Sequence, residues 1–145
     1  MIAEDLKVLL ASSYSYTVKA QFFHWNVEGS DFAQLHDFFG NVYQEVYATL
    51  DTNAELIRQL DSYAPGSFGR FRELSTVNDQ TKVPRARMMI EELLEDTNKM
   101  TDLTKRMFTV AEEENEQGIA DFIAGRIDAF AKHAWQLRSF LKARD

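Results

Sequence analysis

No cysteine occurs anywhere in the 145 residues. Disulfide staples, thiolate metal sites and thiol nucleophiles are excluded, so any bound metal must be held by nitrogen and oxygen. Turn-forming residues are scarce as well: two prolines and six glycines leave long tracts with little to interrupt a helix. No apolar run reaches the roughly 18 residues that a membrane span needs, and no basic segment followed by an apolar one opens the chain. The expectation is a soluble cytoplasmic protein. Positive charge is also in deficit, 16 Lys and Arg against 23 Asp and Glu, for a net charge of −7. That is the wrong sign for a protein that must displace counterions from nucleic-acid phosphates, whereas an acidic surface attracts cations. Apolar residues make up 45%, which suits one domain over residues 1–145 that buries roughly two-thirds of its unfolded surface.

What is present is helical periodicity. Ile2, Leu6, Leu9, Ser13, Tyr16, Ala20, Phe23 and Val27 recur at steps of three and four, and so do Leu35, Phe39, Val42, Val46, Thr49, Asn53, Ile57 and Leu60. A third stripe runs from Met89 to Val110 and a fourth from Ile119 to Leu141. Each marks an amphipathic helix. Breaks fall at "EGSD", "DSYAPGSFG", "NDQTKVP" and "EENEQG", and Pro84 fits the first turn of the third helix. The second connection is too long for a plain bundle turn, and Phe68, Phe71 and Leu74 predict a short helix inside it. The pattern is all-α: a four-helix bundle with a small helix in the crossover between helices two and three.

Bundles that hold two metals internally use Glu-x-x-His on two helices. Here Gln21, Ala33 and Phe130 stand three residues before His24, His36 and His133. An internal dimetal centre is therefore not expected. The stretch "FHWNVEGSDFAQLHDFF" instead sets His24 and His36 on either side of a turn, and further along the second helix Asp51 and Glu55 lie one turn apart, a natural pair of oxygen ligands. A straight helix separates His36 from Asp51 by roughly 22 Å, so one chain cannot bring both to one ion. Two antiparallel copies about a two-fold axis can, with two equivalent sites per dimer. His36, Gly40, Tyr43, Tyr47 and Asp51 form a second stripe beside the core stripe, as such a contact requires. Singly, each of these residues has a plainer reading: a partly buried histidine, a solvated acidic face. Their joint register is what points to a metal.

"HWNVEGSDFAQLHDFF…LDTNAE" resembles the signature of the Dps mini-ferritins, DNA-binding proteins from starved cells, and "IADFIAGRIDAFAKHAWQLRSFLK" is similar to that family's last helix. The resemblance covers nearly the whole chain. It implies a ferritin-like bundle assembled from two-fold dimers into a hollow shell of about twelve subunits. It further implies ferroxidase activity, with Fe(II) oxidised by hydrogen peroxide and ferric mineral stored inside, a protection against oxidative stress. By motif position the ligands are His24 and His36 of one subunit with Asp51 and Glu55 of its neighbour. Zinc is a possible substitute for iron, and Trp25 beside the site is a candidate quencher of stray oxidising equivalents. Asp121 and Asp128 either line a cation pore at a three-fold axis or are plain surface. The chain departs from the family at Gly40, where an aspartate is usual, which implies a weaker second iron or a shell whose metal site has decayed. The first helix begins almost at Met1 and the chain ends in "KARD", so the lysine-rich tail of DNA-binding members is not seen and DNA binding is not expected.

Overall fold

The computed structural model describes residues 1–142. All but Lys142 of the terminal "KARD" lies outside the described residues. Six helices follow one another: α1 (Ile2–Asn26), α2 (Phe32–Tyr47), α3 (Leu50–Gln59), α4 (Phe68–Leu74), α5 (Ala86–Glu113) and α6 (Gln117–Leu141). No strand occurs among the described residues. α1, the α2–α3 arm, α5 and α6 form the four-helix bundle, and α4 lies in the long crossover against α1.

The core is built from the stripes read in the sequence. Every member of the first, Ile2 through Val27, is buried, and the second contributes Leu35, Phe39, Val42, Val46, Asn53 and Ile57. Full burial of one such aliphatic or aromatic side chain contributes about 2 kcal/mol. Tyr16, wholly buried, stands edge-on to Phe130 at 5.6 Å. Its hydroxyl reaches Thr97 Oγ1 at 2.8 Å, and burial pushes it above the ordinary phenol range. The Thr97 hydroxyl donates to the Leu93 carbonyl at 2.6 Å, so Tyr16 is the donor in that pair.

The second helix differs from the expected single rod. It is interrupted at Ala48–Thr49, although both residues keep right-handed helical dihedrals. The cause is local. The Thr49 hydroxyl bonds back to the Val46 carbonyl at 2.7 Å, and the Thr49 amide takes the same carbonyl at 3.0 Å. A threonine that competes for a helix carbonyl tightens and bends the ladder there. Pro84 also differs from expectation, since α5 starts at Ala86 after an extended Arg85, which leaves the proline outside the first turn. α4 is capped by Ser67, whose oxygen accepts from the Arg70 amide at 3.2 Å. It is held to α1 by Phe71 stacked on Tyr14 at 4.7 Å, whereas Phe68 stays 77% exposed.

Two charged groups cross the bundle interior. Lys19 of α1 donates to Asp96 of α5 at 2.7 Å and lies 2.9 Å from Glu92. Burial raises the Asp96 carboxyl above its ordinary range, against the pull of Lys19. Glu45 of α2 meets Arg126 and His133 of α6.

Candidate metal centre

The α1–α2 hairpin turns through Gly29, whose φ of +114° is one that side chains rarely adopt. It sets the last turn of α1 against the first turns of α2, and there His24 and His36 hold each other. His24 Nδ1 donates to the His36 carbonyl at 2.6 Å, and His36 Nδ1 donates to the His24 carbonyl at 2.7 Å. A carbonyl oxygen can only accept, so both Nδ1 atoms carry a proton, and in the neutral tautomer this selects, the lone pair is on Nε2. The imidazoles stack at 3.9 Å with 16° between their planes. Phe32 stacks on His36 at 5.2 Å, and Tyr43 lies 5.5 Å from His24. The His24 carbonyl is in the last turn of α1, where the helix supplies no partner of its own. His36 therefore caps α1 while His24 ties it to α2.

Bonds of this kind are those that orient a histidine for metal binding. A donor to backbone on one ring nitrogen fixes the plane and the tautomer, and it leaves the other nitrogen to bind. The near-parallel planes decide more. An ion shared by both rings would sit up to about 2 Å out of each plane, half the 3.9 Å between centroids, although a metal–imidazole bond of about 2.1 Å lies in the ring plane. Each ring as placed can serve its own ion far better than the two can share one.

Asp51 and Glu55 are exposed on the first turns of α3. Asp51 edges a cleft of about 290 Å³ lined by Tyr14, Tyr47, Pro65 and Phe71. Among the described residues no three His, Asp or Glu side chains converge on one point. His24 with His36 is one group on this chain, and Asp51 with Glu55 is another. Trp25 is 65% exposed beside the histidines, and Asp121 and Asp128 are exposed on α6.

The second stripe is less free than the sequence implies. Gly40 is buried and Tyr43 half-buried because His24 lies over them, which leaves Tyr47 and Asp51 as its exposed end. Sequence reasoning missed the Glu45 cluster altogether. Arg126 Nη1 and Nη2 donate to Glu45 at 2.5 and 3.1 Å, and His133 Nε2 donates at 2.8 Å. Burial pushes the Glu45 carboxyl up, but the bonds and charges of His133 and Arg126 outweigh it and bring the carboxyl down to about 2. The available signal was Arg126 and His133, two turns apart on the apolar face of α6. The interior thus contains inward carboxylates, each already matched by a side-chain cation or donor.

The ferritin-like domain family model matches residues 3–144. An uncharacterised low-temperature-induced protein of Nostoc sp. is 33% identical over 137 residues, covering 93% of this chain and 76% of that protein. DNA protection during starvation protein 2 of Bacillus anthracis is 29% identical over 119 residues, 82% of each. Among solved structures, Dps from Thermosynechococcus elongatus is similar with a TM-score of 0.96 at 25% identity, over 99% of this chain and 92% of that one.

Proposed function

As a member of the ferritin-like family, in its Dps branch, the chain is an iron-binding mini-ferritin, and we propose that it oxidises ferrous iron at sites shared between subunits. His24 and His36 of one subunit supply nitrogen, and Asp51 and Glu55 of a two-fold neighbour supply oxygen. Fe(II) is the substrate and hydrogen peroxide the oxidant. Two ferrous ions give one electron each to the peroxide bond. With two waters the products are two ferric oxyhydroxide units and four protons, and the solid collects inside a shell of about twelve chains. Zinc suits the same donors and would compete. No helix among the described residues is long and apolar enough to cross a membrane, and we place the reaction in the cytoplasm.

The observation that carries this reading is the stacked histidine pair. Each imidazole, held through Nδ1 and nearly parallel to the other, keeps Nε2 for an ion of its own, and two ferrous ions are what a two-electron reduction of peroxide needs. The complementary carboxylates stand at the far end of the same arm. Exposed Trp25, Phe32 and Tyr47 near the two groups give the subunit contact its apolar surface. Asp121 and Asp128 are assigned to a cation path through the shell, and Trp25 to quenching of stray radicals. The second reading is a shell with a weakened metal site, and Gly40, with the His24 ring lying over it and no carboxylate there, is the observation that favours it. The net charge of −7 disfavours a nucleoid role.

The test is complementation. His36→Ala and Asp51→Ala damage opposite halves of each site, so pure shells of either should lose peroxide-dependent iron oxidation. Co-expressed mixed shells should regain part of it, because a mixed dimer has one intact site. No recovery in mixed shells would place all ligands on one chain and end the shared-site reading. A gel shift on linear DNA at low salt checks the nucleoid alternative.

A further inference from the structure

A Cβ added at Gly40 would stand 2.9 Å from His24 Cε1 and 3.0 Å from His24 Nδ1. A Cβ contact below 3.0 Å is essentially never seen, so the ring would have to shift, and here that ring is held by other contacts. His24 is bonded to the His36 carbonyl at 2.6 Å and stacked on the His36 ring at 3.9 Å, so any retreat stretches the bond and disturbs the stack. We infer that Gly40 is a positioning residue for the candidate metal pair: its bare backbone is the seat on which the His24 imidazole rests, and any side chain there would lift the ring off. The inference rests on the metal reading above and deepens it.

The helix geometry explains why glycine is needed at this position in particular. The carbonyl of residue 36 points along α2 toward residue 40, the next residue of the ladder. A donor from another helix reaches a mid-helix carbonyl only where the flank beside it is open, and the missing side chain opens it. Glycine in the middle of α2 otherwise weakens the helix relative to alanine. At Gly66, Gly69, Gly118 and Gly125 an added Cβ would meet nothing within 4 Å. Gly40 alone among the helical glycines is filled by a neighbour, and the neighbour is a candidate ligand. Gly40→Asp should add one oxygen ligand only by dislodging a nitrogen one.

The experiment is a double-mutant cycle on chelator-treated protein, followed by titration with Co(II) alone. Gly40→Ala should lower the Tm while His24 is present. In the His24→Ala background the seat is empty, and the same change should raise the Tm by a few degrees as alanine replaces glycine within the helix. A rise in both backgrounds, a fall in both or no change would each overturn the seat, and a fall in both would assign the glycine to some other contact. With His24 present, Gly40→Ala should also weaken Co(II) binding at least tenfold and alter the visible ligand-field spectrum. Unchanged Co(II) affinity and spectrum, beside the sign reversal in Tm, would reduce Gly40 to a packing residue and overturn the positioning role. Absence of Co(II) binding by the unmodified protein would instead refute the metal reading, leaving the cycle to judge the seat.

Discussion

Replacing Glu45 with glutamine removes the carboxylate that pairs with Arg126. The Arg126 side chain is 5% exposed and that of Glu45 37% exposed. That asymmetry predicts unequal losses from the two ends of one ion pair. A buried cation left without its partner costs about 3–5 kcal/mol, and glutamine, which keeps an acceptor, should place the loss near the lower end. Arg126→Met leaves a carboxylate that still receives the His133 bond and can turn to water, so its loss should be about 1–2 kcal/mol. At roughly 2–4 °C per kcal/mol for a chain of this size, calorimetry at pH 7 separates the two variants clearly. The same pair sets an acid limit. The Glu45 carboxyl falls from 4.5 to about 2 on folding, so its contribution is complete above pH 4.5 and is lost as the pH falls toward 2. The full shift would correspond to roughly 3 kcal/mol, and solvent screening of a partly exposed group reduces that to about 1–2 kcal/mol. Denaturant melts between pH 5 and pH 2.5 should therefore fall less steeply in Glu45→Gln than in the unmodified protein. Parallel acid profiles, or an Arg126→Met loss as large as that of Glu45→Gln, would refute the reasoning.

Analytical ultracentrifugation at neutral pH and moderate salt should find a particle of about twelve chains, and a stable monomer that oxidises iron at full rate would contradict the shared sites. In the core, Tyr16→Phe removes a donor from an already bonded Thr97 hydroxyl and should cost about 1 kcal/mol, whereas Thr97→Val leaves the buried Tyr16 hydroxyl unpaired and should cost about 1–3 kcal/mol by urea titration.

The stripes were legible in the sequence because burial along one helix has a period, and Ile2 through Val27 follow it without exception. His24 and His36 were legible as neighbours because only a short turn separates their helices. Their mutual bonds were not. Each depends on a backbone carbonyl of the other helix, and residue type carries no mark of that. Gly40 shows the same limit: periodicity places it on a face but does not say which side chain lies over that face. The Glu45 contacts with Arg126 and His133 span 81 and 88 residues, a distance over which a single sequence offers no register. The interruption at Thr49 was hidden because its cause, a hydroxyl turned back on a carbonyl, leaves the apolar spacing intact.

The histidine clasp also imposes an order in time. Its two members are 12 residues apart and joined by one turn, so it belongs to the contacts expected to form early, as soon as the first hairpin closes. The carboxylates belong to the far end of the arm and, on the proposed reading, join the nitrogens only when a second chain arrives. A newly made polypeptide would thus hold tuned ligands without a working catalyst. Peroxide chemistry would begin only after enclosure, where its product has somewhere to go, and a chain that failed to find a partner would be inert.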